Sequence, residues 1–169
     1  MTRTTPRSAR GGFTLIEVAV ATAIVGVGMV AMMTSLAANT RTNHAGQSLT
    51  HAVFLAQEIR EWTLKLPFSD PDPGDIGKPP GSDGSDPQTF VDDLDDLMDV
   101  TYSPPRDGLG YAITPMQEWS QTISLTWRDP DSLTTVVSPG TSELVYVQVE
   151  ISHQGRTALT TGWLVSRRG

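Results

Sequence analysis

Residues 11–38 read GGFTLIEVAVATAIVGVGMVAMMTSLAA, and this stretch decides the fold. From Phe13 to Ala38 the one charged side chain is Glu17. That run is longer than the roughly 20 apolar residues needed for one membrane crossing. It predicts a transmembrane helix segment over residues 13–38. The mean hydropathy of the whole chain, -0.19, conceals it because the remaining residues are polar.

Upstream, residues 1–12 (MTRTTPRSARGG) are short, polar and basic, with Arg3, Arg7 and Arg10 and no acid. A secretory signal carries its small-residue cleavage site after the apolar core. Here Gly11 and Gly12 precede that core. A peptidase cutting after Gly12 works at the cytoplasmic edge of the membrane and leaves the anchor attached. The arginines place that edge in the cytoplasm by the positive-inside rule, with the chain beyond residue 38 across the membrane.

Gly12-Phe13-Thr14-Leu15-Ile16-Glu17 resembles the processing site of type IV prepilins and type II secretion prepseudopilins: a basic leader ending in Gly, then Phe, three apolar or small residues, and Glu opening an apolar helix. The resemblance covers about residues 8–60. It implies cleavage between Gly12 and Phe13 by a prepilin peptidase and N-methylation of the new Phe13 amine. It also implies a role for Glu17 in filament assembly. The implied partners are other pilin or pseudopilin subunits, the inner-membrane assembly machinery and the membrane itself. The implied location is the bacterial inner membrane, N-terminus cytoplasmic and C-terminal head periplasmic or extracellular, then the filament after assembly.

Glu17 has a physical cost of its own. A carboxylate at the centre of a bilayer costs about 2.5–3.5 kcal/mol, and less near an interface. One reading is a snorkelling or protonated acid. The other is a buried pair with the positive Phe13 amine, within the chain at i and i+4 or from a neighbouring subunit. Major pilins usually carry a helix-breaking proline at the position of Thr34, and this chain does not. Gly26 and Gly28 either weaken the helix, at about 1 kcal/mol each relative to alanine, or allow close packing between helices.

Past Ala38 the pattern becomes amphipathic. Ala45, Leu49, Ala52, Val53, Ala56, Ile59 and Leu66 recur at helical spacing, and Pro67 closes the run. Residues 39–66 are therefore read as a continuation of the same helix, and Ala52–Arg60 (AVFLAQEIR) is similar to the matching helix of minor pilins and minor pseudopilins. Residues 67–169 are read as a globular β-rich head with an acidic loop at 69–99. Within that loop, Phe90–Val100 has Val91, Leu94, Leu97 and Met98 at helical spacing, with Thr89 and Asp92 placed to cap a short helix.

Strand alternation follows in QTISLTWR (Ile123, Leu125, Trp127) and LVYVQVEIS (Val145, Val147, Val149, Ile151). Thr157–Ser166 is a third strand, and Tyr111–Thr114 a candidate edge strand. Turns fall at Asp129-Pro130-Asp131, Pro139-Gly140 and Gln154-Gly155-Arg156. Trp119, Trp127 and Trp163 read as core or edge packing. The expected fold is α+β, one long N-terminal helix packed on a small antiparallel sheet, a pilin-like arrangement.

Charge and motifs narrow the function. The net charge is -7, and outside the leader nine basic residues face 19 acidic ones, which gives no electrostatic support for nucleic-acid binding. With no cysteine, disulfides, thiolate metal sites and cysteine nucleophiles are excluded. His44, His51 and His153 form no ligand pattern, and no P-loop, GxGxxG or G-x-S-x-G occurs. The expectation is a non-enzymatic subunit with no cofactor and no metal. Asp70 and Asp72 begin an EF-hand-like spacing that Gly74 breaks, leaving a calcium loop or a solvated acidic loop. Pilus and secretion pseudopilus both fit, as does a monomeric membrane-anchored binding module that does not polymerise.

Overall fold

The computed structural model describes residues 12–71, 81, 84 and 90–167. Helix α1 spans Leu15–Lys65, followed by strands β1 (Val100–Tyr102), β2 (Trp119–Asp129), β3 (Ser132–Val136), β4 (Leu144–His153) and β5 (Arg156–Ser166). Single 3-10 turns lie at Asp95–Leu97 and Thr114–Met116. The fold is α+β, with every strand pairing antiparallel. Contacts divide the chain into two compact units, residues 1–45 and 46–169.

In the first unit, residues 15–45 are helical and every side chain is exposed. An 18-residue window within α1 has a mean hydropathy of 2.2 and is long and apolar enough to cross a membrane. The helix runs without a break through Gly26, Gly28 and Thr34. A Cβ on either glycine would meet nothing within 4 Å in this chain, so neither glycine is there to relieve an internal clash. Thr22 and Thr34 return their hydroxyls to the carbonyls of Val18 and Val30 at 2.8 and 2.9 Å, so they bring no unsatisfied donor into an apolar setting.

The second unit is a sheet ordered β1-β2-β4-β5, with β3 a flap on β2. Ladder β2–β4 runs from Trp119 opposite His153 to Trp127 opposite Val145. Trp119, Gln121, Ile123, Leu125 and Trp127 therefore share a face with Val145, Val147, Val149 and Ile151, and all nine are buried. A one-residue slip would turn this whole set to solvent, so burial fixes the register. Ala52, Leu55, Ala56, Ile59 and Trp62 of α1 join the same core cluster. The expected sheet on the second half of the helix is present, with the four alternating residues of β4 facing alike. Trp119 and Trp127 lie in the core, and Trp163 packs against it partly buried.

Four local expectations need correction. Leu49 and Val53 are exposed, at 49% and 53%, while Leu55, Trp62 and Thr63 fill the buried stripe. Phe90–Val100 is no helix beyond one 3-10 turn. Asp93 Oδ1 accepts the backbone N–H groups of Asp95 and Asp96 at 2.8 and 3.3 Å. Aspartate side chains compete in this way with helical hydrogen bonding. Asp99 then adopts φ 55°, and the chain turns into β1. The capping role foreseen for Thr89 lies outside the described residues.

Tyr111–Thr114 is not a strand. Ala112 makes an isolated bridge to Arg106, and Pro115, which has no N–H to donate, is the second residue of the 3-10 turn that follows. β1 takes the edge beside β2 instead. Finally, β3 was not foreseen. Its residues show no alternation, with Leu133 and Val136 at 54% and 60% exposure, and an Asx turn starts the hairpin as Asp129 Oδ1 accepts from Asp131 N at 2.9 Å.

Candidate functional site

The site foreseen at the N-terminus is described from Gly12 onward, and Arg3, Arg7, Arg10 and Gly11 fall outside the described residues. Gly12, Phe13 and Thr14 precede the helix, and Phe13 is 83% exposed. Thr14 begins α1. Its carbonyl accepts from Glu17 N and Val18 N at 3.1 and 3.2 Å, and its Oγ1 lies 3.4 Å from Glu17 N. The sequence T-L-I-E has the spacing of a capping box, a signal that motif reading at Gly12 passed over. Glu17 thus stands in the first turn, where the helix dipole favours a negative charge.

This geometry corrects one part of the sequence reading. Phe13 lies outside α1 in the uncleaved chain, so the i,i+4 helical relation between Phe13 and Glu17 does not exist here. The Gly12-Phe13 bond lies outside the helix, and both residues are exposed.

Two of the three histidines, His51 and His153, meet at Trp119. His44 lies in the first unit. In the second, Trp119 is stacked by His153 with ring centroids 4.4 Å apart and met edge-on by His51 at 5.8 Å, and His153 Nε2 lies 3.5 Å from Glu118 Oε2. Among the described residues no group of three or more His, Asp or Glu is placed to hold a metal ion. Asp72 and Gly74 of the EF-hand-like spacing lie outside the described residues.

The acidic turn instead forms a reciprocal cap. Asp96 Oδ2 accepts from Asp92 N and Asp93 N at 3.0 and 3.5 Å, while Asp93 caps Asp95 and Asp96. Asp93 and Asp96 are both buried. Asp93 Oδ2 is enclosed with no hydrogen-bond partner. Burial, reinforced by the neighbouring Asp95 and Asp96, pushes the Asp93 carboxyl up to about 7, although the two backbone donors pull the other way. Burial likewise raises Tyr102 to about 12, with Arg106 opposing it and Asp96 adding to it.

A second polar knot was invisible in the sequence. Gln121 is fully buried on the core face of β2. Its Nε2 donates to Leu55 O of α1 and to Arg106 O, both at 3.0 Å, and its Oε1 accepts from Arg106 N at 2.6 Å. Glu58 and Lys65, two turns apart on α1, grip the same loop through Gly108 N and Gly108 O at 2.7 and 3.0 Å.

No curated protein and no solved structure matches this chain. Residues 7–33 match the prokaryotic N-terminal methylation motif, carried by structural and generally non-enzymatic proteins. The matched residues contain the Gly12-Phe13 junction, the Thr14 cap, Glu17 and the exposed apolar helix that fits a membrane anchor. Residues 7–33 thus carry the prepilin-type signature found in type IV pilin-like proteins.

Proposed function

We propose that this protein is a minor subunit of a type IV pilus or of a type II secretion pseudopilus. It is cleaved between Gly12 and Phe13, methylated at the Phe13 amine and assembled through its N-terminal helix. One observation carries the reading: the methylation motif over residues 7–33 opens onto a helix whose side chains are exposed throughout residues 15–45. Over residues 15–38 that helix is apolar on all sides apart from Glu17, and such a surface requires lipid or other helices around it. In this reading residues 1–12 are the leader, 13–38 the membrane segment, 39–66 the amphipathic continuation and 67–169 the head, with the acidic loop at 69–99. The partners are the prepilin peptidase, other pilin-like subunits and the inner-membrane assembly machinery. The precursor sits in the bacterial inner membrane with its head periplasmic or extracellular.

The unbroken passage of α1 through Thr34 supports a minor subunit. Glu17 supplies the acceptor for a neighbour's Phe13 amine. In apolar surroundings that pairing sets the stagger between subunits, and leaving a buried charge unpaired costs about 3–5 kcal/mol. Cleavage changes the local chemistry as well. It creates a positive amine four residues before Glu17, at the helix end where the dipole disfavours it. That amine gains by moving to another subunit's carboxylate.

Glu17→Ala tests the proposal. Membrane insertion and cleavage at Gly12 persist, read by N-terminal sequencing or intact mass of membrane-extracted protein. Recovery with sheared filaments or partner pseudopilins falls at least tenfold, and Glu17→Gln falls less. Wild-type recovery of Glu17→Ala would sink the assembly reading and leave a monomeric anchored module. A mature chain that still begins near Met1 would sink the processing reading.

A further inference from the structure

Helix α1 is exposed on all sides through residue 45, but its charges are not scattered along it. Glu17 stands in its first turn, and the next charged residue is Arg41. The 23 residues between them carry no charge. Arg41 lies within Asn39-Thr40-Arg41-Thr42-Asn43-His44, where every residue is polar, and this run follows directly on Ala38. The hydroxyls of Thr22 and Thr34 fold back onto the helix at Val18 O and Val30 O, so neither marks a boundary. The apolar stretch is bracketed by one acid and one base.

Length decides where a bilayer meets these brackets. Residues 18–38 rise about 32 Å at 1.5 Å per residue. A tilt of about 20°, the average for membrane helices, fits that length to a hydrocarbon core of roughly 30 Å. Residues 13–38 would rise about 39 Å, and fitting them takes about 40° of tilt, the end of the observed range. The longer placement also sinks Glu17 into hydrocarbon, where a carboxylate is costly.

The start of α1 argues the same way. The helix begins at Leu15, after Gly12, Phe13 and Thr14. The first N–H groups of a helix have no intrahelical acceptor. Thr14 O accepts from the amides of Glu17 and Val18, but hydrocarbon offers nothing to the earlier ones. The headgroup layer, with its water and phosphate, satisfies them. At the other end, Arg41 has a long apolar stem with which to reach outward and a guanidinium that takes phosphate oxygens in pairs. Arg3, Arg7 and Arg10 outweigh this one arginine, so the positive-inside rule keeps Glu17 on the cytoplasmic side.

We propose that in the uncleaved chain the hydrocarbon takes residues 18–38 alone, with Glu17 at its cytoplasmic boundary and Arg41 on lipid phosphates at the opposite one. This rests on the membrane-anchor reading. Glu17 then stays hydrated in the precursor, and the Gly12-Phe13 bond lies in the headgroup layer. The chain has no cysteine, so single cysteines at Leu15, Ala21, Val25, Gly28, Ala31, Thr34 and Asn43 carry a spin label without further changes. The uncleaved full chain is reconstituted in phosphatidylcholine–phosphatidylglycerol vesicles. Collision of each label with oxygen and with a water-soluble nickel chelate reads its depth. The oxygen-to-nickel ratio is expected to peak at Gly28, the middle of residues 18–38, and to be at least tenfold lower at Leu15. Glu17→Leu raises the Leu15 ratio at least threefold and moves the peak toward Val25, and Arg41→Leu raises the ratio at Asn43. A wild-type peak at Val25 with the Leu15 label in hydrocarbon overturns the proposal and leaves the anchor standing. An unchanged Leu15 ratio in Glu17→Leu, or an unchanged Asn43 ratio in Arg41→Leu, also overturns it. Labels that all stay in water overturn the anchor reading as well.

Discussion

Along residues 15–45 of α1 every side chain is exposed, whereas between Ala52 and Thr63 six are buried, although both stretches are helical. Up to Ala38 the first is apolar on all sides apart from Glu17, so no single stripe is set aside for a core, and its surroundings must come from outside the chain. The second repeats apolar groups every three or four residues, and its partners are strands of the same chain. One helix thus meets its hydrophobic demand in two ways. The first stretch is written for an environment, and the second for a fold.

The sharpest way to break this comparison is to remove the same kind of group from each stretch. Ile59→Ala empties a fully buried position and should cost the residue 46–169 unit about 2–5 kcal/mol. Val27→Ala, at a position 72% exposed, should leave that unit's unfolding unchanged. Near-UV circular dichroism of heat unfolding in detergent reads both. Equal losses would show that the apolar stretch also belongs to the folded core.

Asp93→Asn sharpens the account of the folded unit. In the wild type the folded state keeps a proton on Asp93 up to about pH 7, while the unfolded chain releases it near pH 4. A raised carboxyl value therefore lends stability that is complete below about pH 4 and declines as pH rises to about 7, then stays level. At about 1.4 kcal/mol per unit, the decline is about 2–4 kcal/mol. Asp93→Asn should flatten the curve and be the more stable form at pH 8, measured by urea unfolding at pH 4, 6 and 8. A wild-type curve that rises with pH over this window would contradict the burial of the carboxylate.

Gln121→Leu tests the smallest of these effects. It leaves Leu55 O, Arg106 N and Arg106 O without their side-chain partner and should cost about 1–3 kcal/mol, with amide exchange quickening first in residues 105–113. An unchanged loop would mean that Glu58 and Lys65 suffice to hold it.

Much of this was legible in order. Gly12-Phe13, Glu17 and the apolar run read as a processed membrane helix without any tertiary information, because a motif and a composition are local. The strands β2, β4 and β5 were legible from alternation, since period two is a property of the segment itself. The flap β3 and the short β1 were not, because neither buries a regular face. The aspartates at 92–99 were misread as helical, because apolar spacing was weighed without the competing side-chain caps.

By itself, then, the sequence determined that the chain has an apolar N-terminal helix, a processing motif at its start and three alternating strands near its end. Only the tertiary structure decided which stripe of α1 is core. Leu49 and Val53 lie on a helical stripe as plausible as that of Leu55 and Trp62, and the choice between them depends on where β2 and β4 present Ile123 and Val147. It also decided that Gln121, Glu58 and Lys65 hold one loop, and that Trp163 of β5 reaches Thr63 of α1. The physical reason is the same in each case. Periodicity is encoded in neighbours along the chain, while partnership between residues 50 or 100 positions apart exists only once the backbone has brought them within a few ångströms.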